Sequence, residues 1–159
     1  MILEKYKRSY PDRFEKLVRA HLQPAPRIEA GRLIAASGFA TAMIDISDSL
    51  AIDLLHVCRA SDVGAEIELE RIPVGDELAE AAVFLGAESR EMVLYGGEDY
   101  QLLFTVKPDT PRAILADISR GSDTRITEIG TIIASGDGCR LVDTDGGRHP
   151  LEPDGWDHF

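Results

Sequence analysis

The chain has 159 residues, an apolar fraction of 44% and a formal net charge of −11 at pH 7. This length is sufficient for one domain with a substantial buried core. The acidic excess argues against nucleic acid as a partner, because binding a phosphate backbone requires a basic surface. Neither a signal peptide nor an apolar segment long enough to span a bilayer is visible, so we expect a cytoplasmic protein that does not bind membranes. Cys58 and Cys139 match no zinc or redox spacing, and we expect reduced thiols.

The amino-terminal part predicts two helices separated by a stiff connection. Apolar residues recur on one side of Pro11–Leu22, which indicates an amphipathic helix. Two prolines then enforce an extended segment, and Arg27–Ser37 predicts a second helix that a glycine closes. We therefore assign residues 1–23 to a helix of an interdomain segment and residues 24–159 to the compact domain.

Acidic and hydroxyl side chains gather where the next predicted strand gives way to a helix. Phe39–Ile44 predicts a buried strand, and apolar residues from Leu50 onward recur with helical spacing. Asp45, Ser47 and Asp48 lie between these elements, and Ser47 or Asp48 is the expected helix N-cap. A helix amino terminus favours anions, and clustered carboxylates bind Mg²⁺ together with phosphate. The junction is thus a candidate magnesium–phosphate site, although a plain helix cap would explain this motif alone.

The remaining pattern alternates helices with strands and ends in a hairpin. Strands are predicted at Gly64–Glu70, Leu102–Val106 and Ile126–Ile133, helices at Gly75–Phe84, Ser89–Leu94 and Pro108–Ile118, and a hairpin at Cys139–Val142 with Arg148–Leu151. Such an order predicts an α/β (α+β) fold, in which helices flank a mixed β-sheet.

Two further groups are candidate ligand-binding elements. The turn Gly96–Asp99 joins two glycines to two acids, so a ligand could approach its backbone closely. Composition alone would equally describe a solvated turn. The sequence ends in Gly155–Phe159, which contains the only tryptophan, Trp156. An indole can cap a core, or it can offer its ring face to a flat or cationic ligand.

In combination, these motifs resemble the carboxyl-terminal half of thiamine-monophosphate kinase, in the aminoimidazole ribonucleotide synthetase-like superfamily. The resemblance lies, in chain order, in His21–Arg27, Ala42–Leu54, Tyr95–Thr105, Ile129–Ile132 and Gly155–Phe159. It implies the carboxyl-terminal domain fold of those proteins. It also implies that an amino-terminal domain with most of the ATP and magnesium ligands is absent from this chain, and that the full-length protein is a homodimer.

The same resemblance implies an activity. It is the transfer of the γ-phosphoryl group of ATP to thiamine monophosphate, giving thiamine diphosphate, with Mg²⁺ as the cofactor. The implied magnesium ligands are Asp45 and Asp48, the implied ATP contact is Ser47, and Glu98 and Trp156 would contact the thiamine phosphate. The fragment alone is expected to be inactive. Two alternatives remain open: a thiamine-phosphate-binding module without turnover, and another ATP-dependent synthetase of this superfamily with a different acceptor.

One position departs from the pattern of that family, in which glycine usually follows the second aspartate of the D-x-S-D-G-L motif. The residue here is Ser49, whose side chain could narrow the neighbouring metal site. We do not select His56 or His158 as acid–base groups, since His56 is expected on a helix surface and His158 is expected to fasten the tail. Asp53 is expected to be structural and to hydrogen-bond backbone groups near its loop.

Overall fold

The structure is a computed structural model that describes residues 11–153. Trp156 and His158 lie outside these residues. The helices are Glu15–Leu22 (α1), Ile28–Ala36 (α2), Leu50–Ser61 (α3), Asp76–Leu85 (α4), Ser89–Tyr95 (α5) and Arg112–Ser122 (α6). The strands are Ala40–Asp45 (β1), Val63–Glu68 (β2), Leu102–Val106 (β3), Gly130–Ala134 (β4), Cys139–Val142 (β5) and Arg148–Pro150 (β6). No helix within residues 11–153 is both long enough and apolar enough to cross a membrane.

The strands form a mixed sheet and a separate antiparallel pair. The mixed sheet has the order β4-β2-β5-β6, in which β2 runs parallel to β5 and antiparallel to β4. The predicted hairpin is confirmed, because β5 and β6 pair antiparallel and the Asp143 N–H donates to the Gly147 carbonyl at 2.9 Å. Strands β1 and β3 pair with each other. The prediction of an α/β fold with a mixed sheet and flanking helices is therefore confirmed.

Helix α3 supplies the centre of the main hydrophobic core. Its residues Leu50 and Leu54 are 4% and 2% exposed and pack in one cluster with Ala65, Ile67 and Leu141 of the mixed sheet. This burial confirms the helical spacing that the sequence predicts from Leu50 onward. Removing one such leucine side chain would cost about 2 to 5 kcal/mol, because a cavity would remain. The core thus fixes the amino-terminal end of α3 against the sheet.

A second cluster holds α2 and α6 against the β1–β3 pair. Ala30 and Ile34 of α2 and Ile118 of α6 are buried here, and Leu102 and Phe104 of β3 pack against them. Strand β1 is nevertheless not the buried strand that its apolar run predicts, since its side chains alternate between half-buried and exposed. The physical reason is that β1 and β3 form a two-stranded sheet, which offers fewer covered positions than the interior of a larger sheet.

The buried thiol of Cys58 belongs to the main core. Both cysteines are free, and Cys139 packs against the same cluster. Burial, together with a hydrogen bond between the Cys58 and Cys139 thiols that favours the neutral form of Cys58, raises the pKa of Cys58 to about 12. A thiol with so high a pKa carries little thiolate at neutral pH and is a weak nucleophile. The structure therefore assigns Cys58 to packing.

Two predicted boundaries differ from the observed ones for local reasons. The helix predicted from Pro108 begins instead at Arg112, and Pro111 is its N-cap. Residues 107–110 form a turn that the Thr110 N–H closes by donating to the Lys107 carbonyl at 3.1 Å. The strand predicted from Ile126 begins at Gly130, so the residues before it are connecting chain. Proline lacks the N–H group that a helix interior requires, which explains why the helix begins after Pro111 and not at Pro108.

Helix α1 is attached to α4 at its beginning. The Phe14 ring is buried and lies 5.6 Å from the Phe84 ring between centroids. Arg13 and Lys16 pair with glutamates of α4 at 2.9 and 3.0 Å. The predicted amino-terminal helix is therefore confirmed, although an exposed pair of this kind contributes little free energy and Phe14 is the main anchor.

Glu66 links the strands on the outer face of the mixed sheet and gives a testable pH dependence. Its Oε1 atom accepts hydrogen bonds from Arg140 and Arg148 at 2.8 Å each. These two bonds lower the pKa of the carboxyl below 4.5, and the bond from Arg148 has the larger effect. Because the folded pKa is depressed, the stabilisation is present above pH 4.5 and is lost as the pH falls through the lowered pKa.

We predict that Glu66→Gln lowers the thermal midpoint at neutral pH and that the difference from the wild type shrinks as the pH falls below 4.5 and through the lowered pKa of Glu66. High salt should reduce the difference, since the groups are partly exposed. The matched control is Glu152→Gln, which removes an exposed glutamate. Thermal melts across this pH range provide the measurement, and equal midpoints at neutral pH would contradict the prediction.

Candidate functional site

The turn between β1 and α3 forms the first half of the site. Asp45 ends β1, and Leu50 begins α3. The N-cap is Ser49, whose hydroxyl accepts a hydrogen bond from the Ile52 N–H at 3.1 Å. The prediction of Ser47 or Asp48 as the cap was therefore wrong. The backbone N–H groups of both residues point instead to another acceptor, so the helix starts later than the sequence suggests.

That acceptor is the carboxylate of Asp53, which is 2% exposed. Its Oδ2 atom accepts from the backbone N–H groups of Ser47, Asp48 and Ser49 at 2.9, 3.2 and 3.4 Å. Three donors compensate for the removal of a charged oxygen from water. Asp53 thus shapes the turn from inside, which confirms its expected structural role.

The glycine-rich loop Gly96–Gln101 forms the second half and lies directly on this turn. The Glu98 N–H donates to the Ser47 carbonyl, and the Tyr100 N–H donates to the Ile46 carbonyl, each at 2.8 Å. In return, the Ile46 N–H donates to the Gln101 carbonyl at 2.8 Å. The two predicted motifs are therefore one continuous hydrogen-bonded unit.

Gly97 allows this close approach. A Cβ atom at Gly97 would lie 2.4 Å from the Asp48 carbonyl oxygen and 2.8 Å from that of Ser47. Both distances are shorter than van der Waals contact, and both neighbours are backbone atoms that cannot rotate away. A residue with a side chain would therefore separate the two loops.

Glu98 occupies an unusual backbone conformation that presents its side chain to solvent. Glu98 and Tyr100 have positive φ angles of 67° and 50°, in the left-handed region that side chains disfavour. Such strain costs of order 1 to 3 kcal/mol for each residue and persists where surrounding contacts enforce it. The Glu98 side chain is 62% exposed, and its Oε2 atom lies 3.6 Å from His21 Nε2. A carboxylate is thus held at the surface beside the acidic turn.

The donor atoms near the turn differ in how well they fit a hard cation. Ligand atoms of Asp48, Asp53 and His56 lie within 4.8 Å of one another, and Asp45 does not belong to this group among residues 11–153. Asp53 is a weak candidate because one of its oxygens already accepts three hydrogen bonds. His56 is exposed and offers a nitrogen, whereas Mg²⁺ prefers oxygen. Among residues 11–153, the structure therefore does not bring the carboxylates of Asp45 and Asp48 into one metal-binding group.

Ser49 does not obstruct this turn in the way that the departure from glycine suggests. Its φ angle of −177° is extended backbone that any residue adopts, so no glycine is needed for conformation. The side chain is fully buried and hydrogen-bonded to the backbone as the helix cap. The added hydroxyl hence points into the domain.

The structure adds residues that sequence reasoning missed. Arg27 Nε donates to Gln101 Oε1 at 2.9 Å, and Gln101 Nε2 donates to the Asp99 carbonyl at 3.1 Å. Partial burial raises the pKa of the Asp99 carboxyl, and the charge of His21 opposes this rise. In the sequence, only the positions of these two residues point to the site. Gln101 directly follows the glycine-rich motif, and Arg27 ends the proline-containing connection.

The protein is an α/β domain in which the acidic turn between β1 and α3 is hydrogen-bonded to a glycine-rich loop that leads into β3. The family described as "AIR synthase related protein, C-terminal domain" matches residues 2–142, and the chain belongs to this family.

Comparisons with individual proteins agree with the motifs. The chain is 39% identical over 144 residues to thiamine-monophosphate kinase of Escherichia coli O157:H7, covering 90% of this chain and 42% of that protein. It thus spans about two fifths of the length of this relative. A solved structure described as "AaThiL complexed with AMPPCP and TMP" is 34% identical with a TM-score of 0.78, covering 99% of this chain and 46% of that one. The resemblance to the carboxyl-terminal half of these kinases is confirmed.

A third comparison is informative about the fold alone. The hydrogenase maturation protein HypE, solved in complex with ATP, is 19% identical with a TM-score of 0.62, covering 76% of this chain and 38% of that one. This comparison shows that HypE shares the fold of this chain.

We predict that Gly97→Ala lowers the free energy of unfolding by about 2 to 3 kcal/mol, because the new methyl group would collide with two carbonyl oxygens. Gly136→Ala is the matched control, since a Cβ there meets nothing within 4 Å, and it should change stability by less than about 0.5 kcal/mol. Urea unfolding measures both. Equal effects of the two substitutions would contradict the close approach of the loops.

We also predict that Asp53→Ala lowers the free energy of unfolding by about 3 kcal/mol, since three backbone N–H groups would lose their acceptor. Asp109→Ala is the control, because Asp109 is an exposed residue without a positive φ angle in the turn between β3 and α6. Amide hydrogen exchange should rise at residues 47–49 in the first variant. Unchanged exchange there would show that Asp53 does not hold the turn.

Proposed function

We propose that this chain is the substrate-binding part of an ATP-dependent kinase that converts thiamine monophosphate to thiamine diphosphate. The observation that carries the proposal is the hydrogen bond from the Glu98 N–H to the Ser47 carbonyl, which joins the acidic turn to the glycine-rich loop. Relatives that match 90% of this chain are named thiamine-monophosphate kinase. AMPPCP is an analogue of ATP, and the related AaThiL structure is described as containing it together with TMP, the abbreviation of thiamine monophosphate.

Glu98 is proposed to bind the thiamine group. The thiazolium ring is a permanent cation and the aminopyrimidine carries N–H donors, so an exposed carboxylate can complement either. The left-handed backbone of Glu98 sets the direction of its Cα–Cβ bond before a ligand arrives. Trp156, which lies outside the described residues, would stack on the thiamine ring through cation–π attraction.

The acidic turn is proposed to face the phosphates. Ser47 would contact ATP, and Asp45 and Asp48 would hold Mg²⁺, whose charge neutralises phosphate oxygens during phosphoryl transfer. Asp53 keeps these residues in place by binding their backbone. Positioning is the main contribution that a protein makes to this reaction, because the transferred group needs little covalent assistance.

Turnover is proposed to require a nucleotide-binding region beyond the part matched here, since this chain covers 42% of the Escherichia coli relative. We therefore expect the chain alone to bind thiamine monophosphate without converting it. Homodimerisation of the longer protein, dependence on magnesium and a cytoplasmic location belong to the same proposal. A binding module without turnover would show the same affinity, whereas a synthetase of the superfamily would prefer another acceptor.

Isothermal titration of this chain with thiamine monophosphate, thiamine diphosphate and an aminoimidazole ribonucleotide tests the proposal. We expect binding of the thiamine phosphates only. Glu98→Gln should weaken thiamine monophosphate binding about tenfold, because a charge-assisted contact is lost while the shape is kept. Glu70→Gln is the control, since it removes an exposed glutamate from a different turn.

Two further variants separate the ring from the phosphate. Trp156→Ala should weaken every thiamine compound, thiamine included. Asp45→Asn should reduce only the gain in thiamine diphosphate affinity that Mg²⁺ produces. Preference for the aminoimidazole ribonucleotide, or the absence of binding to any thiamine phosphate at millimolar concentration, would overturn the proposal.

A further inference from the structure

We propose that Arg27 is a positioning residue that holds the Glu98 loop in its strained conformation by acting through Gln101. The significance for substrate rests on the proposed function, in which the Glu98 carboxylate contacts the thiamine group. The positioning itself rests on geometry alone. Arg27 belongs to the segment that precedes α2, so this proposal gives the connecting segment a role in the site.

The backbone strain at Glu98 and Tyr100 requires neighbouring groups that hold the loop in place. Glu98 and Tyr100 both adopt positive φ angles without being glycine. Two left-handed residues in one short loop relax unless neighbouring groups fix them. Two backbone hydrogen bonds, from the N–H groups of Glu98 and Tyr100 to carbonyls of the acidic turn, fix the side of the loop that faces this turn. On the far side, the Gln101 side chain closes the loop by donating to the Asp99 carbonyl at 3.1 Å.

Arg27 completes the hydrogen bonding of that glutamine. Its Nε donates to Gln101 Oε1 at 2.9 Å in a partly buried setting. The amide therefore accepts at one end and donates at the other, and its rotamer is fixed from both directions. A hydrogen bond that includes a charged donor is stronger than a neutral one. Without it, Gln101 could rotate and release the Asp99 carbonyl.

The location of Arg27 makes it a rigid support. A proline precedes it, and its carbonyl accepts the first hydrogen bond of α2, from the Gly31 N–H at 2.9 Å. Residues four apart lie on the same face of a helix. A Cβ at Gly31 would lie 3.4 Å from Leu102 Cδ1, so this face of α2 already touches the residue after Gln101. The guanidinium is thus directed at Gln101 by packing of the second cluster.

The test measures amide hydrogen exchange of the 159-residue chain at Glu98 and Tyr100. Arg27→Met keeps the length of the side chain and removes the donor, and it should lower protection at both amides about tenfold. Protection of β2, in the other sheet, should remain unchanged. The matched control is Arg32→Met, which removes an exposed arginine of the adjoining helix α2, and this arginine pairs only with Glu29 among residues 11–153.

A double-mutant cycle shows whether Arg27 acts through Gln101. Gln101→Met should reproduce the tenfold loss, and the double variant should lose no more than either single variant. Gln101→Met also preserves the test if Arg27→Met does not fold. Additive losses, protection within about twofold of the wild type, or an equal loss in β2 would each overturn the proposal.

Thiamine monophosphate affinity separates this proposal from the proposed function. Arg27→Met should weaken binding about tenfold at an unchanged thermal midpoint, whereas Arg32→Met should leave it unaltered. Failure of the wild-type chain to bind would overturn the proposed function, while hydrogen exchange would still decide the positioning role. Normal binding by Arg27→Met, with normal binding by the wild type, would overturn the link between the loop and the substrate.

Discussion

The site depends on one buried carboxylate. Asp53 gathers the N–H groups of three consecutive residues, and this leaves the carbonyl oxygens of Ile46 and Ser47 available to the glycine-rich loop. The side chain lies at the start of α3, which the main core fixes against the mixed sheet. Core packing therefore sets the position of Asp53, and Asp53 sets the turn on which the second loop rests.

Strain is concentrated where the ligand is proposed to bind. The left-handed Glu98 and Tyr100 lie in a loop that is fixed by backbone bonds on one side and by the Arg27–Gln101 pair on the other. A preorganised loop loses less conformational freedom when a ligand binds, which favours affinity. The cost is borne by packing elsewhere, as is common for functional loops. The carboxylate of Glu98 is consequently exposed, and the backbone that carries it is held in place.

Sequence reasoning was most successful where a local pattern has one structural solution. Helical spacing from Leu50 onward, the hairpin of β5 and β6, and the order of helices and strands are all confirmed. It failed where several local solutions compete. Ser47, Asp48 and Ser49 can each cap a helix, and only the position of Asp53 selects Ser49. The apolar run of β1 likewise could not reveal that its sheet has two strands.

By itself, the sequence determined the element order, the acidic turn, the glycine-rich loop and the family resemblance, because these are encoded by residue types at short spacing. Tertiary structure alone decided that the two motifs touch, that Gly97 is required by two carbonyl oxygens, and that Arg27 reaches Gln101. The reason is physical. These contacts join segments far apart in the chain. Most of them use backbone groups that every residue carries, so no pattern of side chains predicts them.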